Sequence, residues 1–120
     1  MTFPKKGDIV IVDAEPHAGI KYGDQDNKTD NIRRHMVIMS SNNYNRSTGT
    51  VLAMPITTSN RYQNNPRYYP ILIMDGVKGY VALWQLQNFD YQSRNGKVIN
   101  KITDKQYYDI LPYVKDMLGI

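Results

Sequence analysis

The sequence predicts an α+β fold: a small, partly open β-barrel of about five to seven short strands with one C-terminal helix. Three observations lead there. Short β-branched and apolar runs recur with Gly, Pro, Asn and Asp between them. The hydrophobic spacing turns helical after Thr103. The 120 residues suffice for one core and are too few for two, so residues 1–120 are read as a single domain.

Lys5-Lys6-Gly7-Asp8 leads into Ile9-Val10-Ile11-Val12-Asp13, a β-branched run left at Glu15-Pro16, which reads as the first strand. From His17 to Arg33 almost nothing is apolar, and Gly23 to Lys28 is turn material, so a long loop is expected. Arg34 to Ser40 reads as the second strand and Thr50 to Ile56 as the third, with Ser41 to Asn45 and Arg46 to Gly49 as turn chemistry between them. Pro55 cannot donate to a ladder, which places the third strand's end at a sheet edge or bend. Tyr69 to Met74 and Gly79 to Trp84 flank a hairpin turn, Asp75 to Gly79, and Lys97 to Asn100 adds a last short strand. In the tail, Thr103-Asp104-Lys105-Gln106 matches a capping box, and Tyr107, Ile110, Leu111, Val114 and Leu118 share one helical face. Pro112 interrupts that pattern and predicts a kink or break near Leu111. No internal repeat, linker or low-complexity tract is present.

Composition narrows the function classes. Hydrophobic residues make up 41% and charged residues 22%, the profile of a globular chain rather than a disordered one. The absence of cysteine excludes a disulfide scaffold, thiolate zinc sites and a cysteine nucleophile. Neither a signal peptide nor a membrane span is recognisable, so a cytoplasmic, non-membrane protein is expected. The net charge is +4, and the tail from Ile102 to Ile120 holds two bases and three acids, which leaves +5 on Met1 to Lys101. That balance permits a polyanionic partner without specifying one.

Paired histidines at metal spacing, a Gly-rich phosphate loop and a nucleophile elbow are all missing, so neither metal nor cofactor is expected. His17 and His35 are an acid–base pair only if they converge, and strand alternation should turn His35 away from Arg34. Arg34 opens the second strand and Thr57 follows the third. Neighbouring strands could bring the two to one rim of the barrel, although residues of these types at strand ends are as readily ordinary surface groups. Composition and spacing stop at that point.

Several ordered segments resemble the MazF/PemK toxins. Lys6-Gly7-Asp8-Ile9-Val10, with Asp13, Pro16 and Gly19, is similar to the family's opening pattern; Arg34 to Ser40 resembles its Arg-Pro-Val-Leu-Val-Ile-Ser strand, and Tyr44-Asn45-Arg46 its Phe-Asn segment. Pro55-Ile56-Thr57-Thr58 is similar to its Pro-Ile-Thr-Ser, and Gly79 to Gln85 with Asp90 and Arg94 continues the likeness. The resemblance implies a CcdB/PemK-type, SH3-like barrel that dimerises, is restrained in a bacterial cytoplasm by a cognate antitoxin, and cleaves single-stranded RNA without a metal, leaving 2′,3′-cyclic phosphate and 5′-hydroxyl ends. It assigns catalysis to Arg34 and Thr57, and RNA contact to His17, Gly19, Lys21, Thr58 and Gln85.

The chemistry makes those types reasonable. A pentacoordinate phosphorane concentrates charge on its non-bridging oxygens, which a guanidinium fork matches with two donors while staying charged. Arginine is a poor base, its ordinary pKa lying above about 12, so stabilisation of charge is the role expected of Arg34. Gln85 reads equally well as a buried amide satisfied by backbone, and Trp84 as a packing residue rather than a base platform. The loop Ile20 to Arg33 exceeds the family's typical length, and His35 stands where a proline is usual. Two other functions remain: a barrel toxin that binds a protein such as DNA gyrase without catalysis, and an RNA-binding barrel that does not cleave.

Overall fold

A computed structural model describes residues 2–14 and 32–120. Among the described residues seven strands and two helices follow one another: β1 (Asp8–Asp13), β2 (Arg33–Ile38), α1 (Asn42–Thr48), β3 (Thr50–Thr57), β4 (Tyr68–Met74), β5 (Val77–Ala82), β6 (Gln87–Asp90), β7 (Lys97–Lys101) and α2 (Asp104–Leu118). A 3-10 turn at Asn60–Tyr62 lies between β3 and β4. The strands form one antiparallel sheet in the order β4-β5-β3-β2-β1-β7, with β6 also paired to β3. The sheet curls until its edges meet, and Asn100 of β7 donates its side-chain amide to the Ile73 carbonyl of β4 at 2.9 Å. This curled sheet with its C-terminal helix is the architecture the sequence predicts.

The unbroken apolar run of β1 has a simple cause. Ile9 packs inside the curl with Val37, Met54, Ile56, Ile73 and Val81, while Val10 and Val12 pack on the opposite face with Met36, Ile38, Val51 and Phe89. Both faces of the strand are buried, so alternation gives way to continuous hydrophobicity. Helix α2 covers the inner cluster with Tyr107, Ile110 and Val114. The tight curl also needs Gly79, where a Cβ would lie 2.6 Å from Ile56 and 2.7 Å from Ile73 side chains.

Four elements differ from the sequence reading. The stretch between β2 and β3 is the helix α1, not a pair of turns: Ser41 caps it by accepting from the Tyr44 N–H, and Gly49 ends it in the left-handed region at φ 76°. Its Asn45 is fully buried, donating to the Pro4 carbonyl at 2.9 Å and accepting from the Ser40 hydroxyl, so the helix is held by a satisfied polar node that propensity does not reveal. Strand β6, absent from the sequence reading, is a four-residue piece with only Phe89 buried, too short for a period-2 signal. Pro55 lies within β3, at the centre of the sheet. It falls between Ala53, the last residue paired with β6, and Ile56, the first paired with β5, so no rung of either ladder is lost to it. Pro112 does not break α2, which runs from Asp104 to Leu118. Both Pro112 and Tyr108, whose carbonyl loses its intrahelical donor, are exposed, so water can serve that carbonyl.

Outside the core, two polar clusters fix the ends of the sheet. At β1, Arg33 donates to the Asp13 carboxylate at 2.6 Å, Asn95 donates to the other oxygen at 2.7 Å, and Arg94 donates to the Ala14 carbonyl at 2.7 Å. Ala14 and Ile32 are joined by an N–H to carbonyl bond of 2.8 Å. At α2, the Tyr69 hydroxyl donates to Asp109 at 2.8 Å, and Lys105 pairs with the same carboxylate at 2.9 Å.

Each cluster leaves a pH signature. Burial raises the Asp13 pKa, but hydrogen bonds from Arg33 and Asn95 and the Arg33 charge outweigh it, and the net value is below the ordinary one. A depressed carboxylate stabilises the fold above its unfolded value of about 4, and that stabilisation disappears as pH falls through the folded value. Asp13→Asn should therefore cost about 1–2 kcal/mol in urea melts at pH 7, modest because Arg33 is one-third exposed, and the gap to wild type should shrink below pH 4. A gap that stays constant down to pH 2 is the contrary result. For Tyr69, burial and the Asp109 partner push the pKa up to about 12. The neutral phenol is then favoured by folding, so stability holds below the unfolded value of about 10 and declines between pH 10 and 12. Tyr69→Phe should lessen the decline seen in melts at pH 9 to 12, the remainder belonging to Tyr91 and Tyr107, whose pKa values burial also raises; an unchanged alkaline slope would count against the pairing.

Candidate functional site

The ladder registers bring separate parts of the chain into one row. Val12 pairs with Arg34, and Thr57 pairs with Tyr80. Between those pairs, His35 stands opposite Ile56, so one further step along the same register sets Arg34 across from Thr57. Opposed residues in a regular antiparallel ladder are about 5 Å apart at Cα. The two residues singled out in the sequence thus meet at the end of β2 and β3.

They border an open groove of about 690 Å³. Its walls include Arg33, Arg34, His35, Thr57, Thr58, Gln85, Gln87 and Arg94, with Tyr62 and Tyr68 to one side. No aspartate or glutamate is among the described residues that line it. Three guanidinium groups do, in different states. Arg33 is neutralised by Asp13, and Arg94 is held by the Ala14 carbonyl with its guanidinium 4.8 Å from the Phe89 ring centre. Arg34 is exposed and has no hydrogen-bond or salt-bridge partner among the described residues.

Thr57 is half-buried, and its hydroxyl oxygen accepts from the Ser59 N–H at 3.2 Å. That bond occupies a lone pair and leaves the hydroxyl proton to donate. Thr58 is exposed at the groove edge. Gln85 is half-buried and accepts from the Gln87 side chain at 3.3 Å, so its partner is a second amide rather than the backbone. His17, Gly19 and Lys21 lie outside the described residues. His35 alternates with Arg34 in the ladder as expected, yet the groove wraps the end of β2 and both border it. Burial lowers the His35 pKa, which keeps the imidazole neutral at pH 7.

The sequence reading missed Tyr62, Tyr68 and Gln87. Tyr62 sits on the 3-10 turn capped by Ser59, whose hydroxyl accepts from the Arg61 N–H, and its ring stacks on Tyr68 with centroids 4.1 Å apart and planes 21° from parallel. Ser59 before Asn60-Arg61-Tyr62 was the available turn signal. Trp84 was read as packing and is instead half exposed, bordering a separate shallow cleft with Leu83, Tyr113 and Met117. Among the described residues, no cluster of three His, Asp or Glu side chains is placed to hold a metal ion, and no helix is long and apolar enough to cross a membrane.

Among solved structures, the chain is similar to MazF from Deinococcus radiodurans at 20% identity, covering 100% of both chains with a TM-score of 0.75. A MazE-MazF structure from the same organism matches at 21% identity over 98% of this chain and 97% of that one, with a TM-score of 0.76. An endoribonuclease in complex with its cognate antitoxin from a mycobacterial species matches at 22% identity, covering 100% and 97%, with a TM-score of 0.68. At such identities the likeness is one of fold. No curated protein sequence matches the chain. The sequence pattern describing the PemK-like, MazF-like toxins of type II toxin-antitoxin systems, however, matches residues 5–118. On that match over nearly its whole length, the chain belongs to the PemK-like, MazF-like toxin family.

Proposed function

We propose that the protein is a metal-independent endoribonuclease that cuts single-stranded RNA in the groove at the adjoining ends of β2 and β3, acting as a homodimer restrained by a cognate antitoxin. The observation that carries this reading is the meeting of Arg34, exposed and unpaired among the described residues, with the donor hydroxyl of Thr57 at one rim. In the reaction, the ribose 2′-oxygen gives up its proton and attacks the adjacent phosphorus. The bond from phosphorus to the 5′-oxygen breaks, that oxygen takes a proton, and a 2′,3′-cyclic phosphate remains. Negative charge grows on the non-bridging oxygens during attack. Arg34 offers them two charged donors and Thr57 a third, neutral one.

The lack of a partner among the described residues also separates Arg34 from Arg33, its neighbour in sequence. Arg33 spends its charge on Asp13, whereas Arg34 remains available to a phosphate. The absence of acids among the described lining residues and the +5 charge of residues 1–101 suit both an RNA strand and an acidic antitoxin segment competing for the same surface. The solved structures similar to this chain include toxins bound to cognate antitoxins, which supports the same partner class here.

Purified protein should cut an unstructured RNA in EDTA and leave cyclic phosphate ends, and Arg34→Ala or Thr57→Ala should slow cleavage by at least about a hundredfold, the loss seen when one oxyanion donor is removed. Wild-type rates in both variants would overturn the assignment. Intact RNA together with broken DNA in intoxicated cells would favour a gyrase-directed barrel instead. Sedimentation should give a species near twice the 13.9 kDa chain mass, and a lone monomer at micromolar concentration would remove the dimer from the reading.

A further inference from the structure

The wall of the groove beside Thr57 and Thr58 is built from side chains that cleavage itself does not use. Tyr62 and Tyr68 come from the 3-10 turn and the start of β4, and they stack face to face with a 4.1 Å centroid separation. Arg61 extends the stack: its guanidinium carbon lies 5.1 Å from the Tyr62 ring centre, and its NH2 group donates to the Tyr62 hydroxyl at 3.0 Å. The two rings are half-buried and Arg61 is exposed, so the arrangement is a partly enclosed aromatic pair with a solvent-facing cationic neighbour.

Packing alone does not account for it. Neither ring belongs to the two hydrophobic clusters, and both border the groove together with Arg34 and Thr57. Stacked phenols under a guanidinium have the composition of a site for a flat, π-bearing group attached to an anion. A nucleobase on its sugar–phosphate is such a group, because every base has a face that an aromatic ring can accept.

We infer that Tyr62 and Tyr68 form a stacking platform for a nucleobase next to the scissile phosphate, with the base taking the place Arg61 holds in the free protein and Arg61 turning to that nucleotide's phosphate. The inference rests on the groove receiving single-stranded RNA and deepens that reading by naming a specificity-determining wall. The platform holds one base at a fixed distance from Arg34 and Thr57, and this sets which phosphate arrives at the reacting position. A ring shows little preference for base identity, so the platform fixes register, while the amides of Gln85 and Gln87 are placed to read the edges of neighbouring bases.

The test separates binding from cleavage by using a short, fluorescently labelled 2′-O-methyl oligonucleotide, which lacks the attacking hydroxyl. Anisotropy should show wild type and Tyr62→Phe binding alike, and Tyr62→Leu binding about tenfold or more weakly, with thermal melts checking that each variant folds. Arg61→Ala, at an exposed position, should lower the slope of log affinity against log salt by about 0.7, the value of one phosphate contact on a single strand. A scan of abasic substitutions along the oligonucleotide, read with the wild-type protein, should reveal one position of large loss that becomes silent in Tyr62→Leu. Equal affinities for wild type and Tyr62→Leu, loss in Tyr62→Phe as large as in Tyr62→Leu, or an abasic scan with no dominant position would each overturn the platform while leaving the nuclease reading intact. Tyr62-dependent binding by a protein that leaves unmodified RNA uncut would sink cleavage and keep the platform. No binding at all would sink both.

Discussion

One strand has to serve three neighbours. Along one edge β3 pairs with β2, and along the other its first half, Thr50 to Ala53, pairs with β6 while Ile56 and Thr57 pair with β5. Two strands can share one edge only if they separate between their pairings, and Pro55 stands where they do. A proline there gives up no rung, and any other residue would present an amide with no strand beside it on that side. The divergence of β5 from β6 opens the groove, which is why Pro55, Ile56 and Thr57 border it together with Gln85 and Gln87, which lie where β5 gives way to β6.

Burial on both faces has a second consequence. With Ile9 and Val37 packed on one side and Val10 and Met36 on the other, the stretches Ile9–Val10 of β1 and Met36–Ile38 of β2 have no room for polar side chains. Charge is confined to the strand ends, where Asp13 meets Arg33 and where Arg34 follows. The ion pair orders the junction at which Ala14 and Ile32 are joined, and Arg94 and Asn95 reach across from the segment before β7 to hold it. Placement of Arg34 therefore follows from a chain of contacts that begins in the core and ends in a carboxylate neutralised by its neighbour.

How much of this was legible in the sequence depended on the range of the interaction that fixes each part. Local rules were enough for the capping box at Thr103 and Gln106, for the hairpin around Gly76, and for the apolar strands β1 and β2. They failed at α1, whose stability rests on Asn45 bonding to Pro4 forty-one residues away, and at β6, which exists because β3 has a free edge to offer. They also failed at Pro112, where exposure of the orphaned carbonyl decides the outcome rather than the proline itself. Arg34 and Thr57 were singled out through resemblance and not through spacing, and their closeness comes from the strand register, which sequence spacing does not carry. Tyr62 and Tyr68 were hidden among ten tyrosines with unlike surroundings. Tyr80, Tyr91 and Tyr107 are buried, Tyr69 ties β4 to α2, and nothing in composition separates these from the stacked pair.

The distribution of charge in the groove bears on what kind of nucleic acid it suits. Duplex recognition leans on many phosphate contacts along a rigid backbone, and a surface built for it carries several unpaired cations. Among the described residues Arg33 and Arg94 are already engaged, which leaves Arg34 at the rim and Arg61 beside it on its tyrosine, while hydroxyls, amides, phenols, the His35 imidazole and apolar side chains such as Met36 and Ile56 make up the rest of the lining. Neutral donors and flat rings gain most from bases that are unstacked and turned outward, a state available in single strands and costly in duplexes. The concave shape reinforces this, because a flexible strand can bend its ribose and phosphate into line at the rim, whereas a paired helix holds the 2′-oxygen away from the phosphorus it must attack. On the proposed reading, a preference for single strands follows from this lining, in which the described residues offer little unpaired charge.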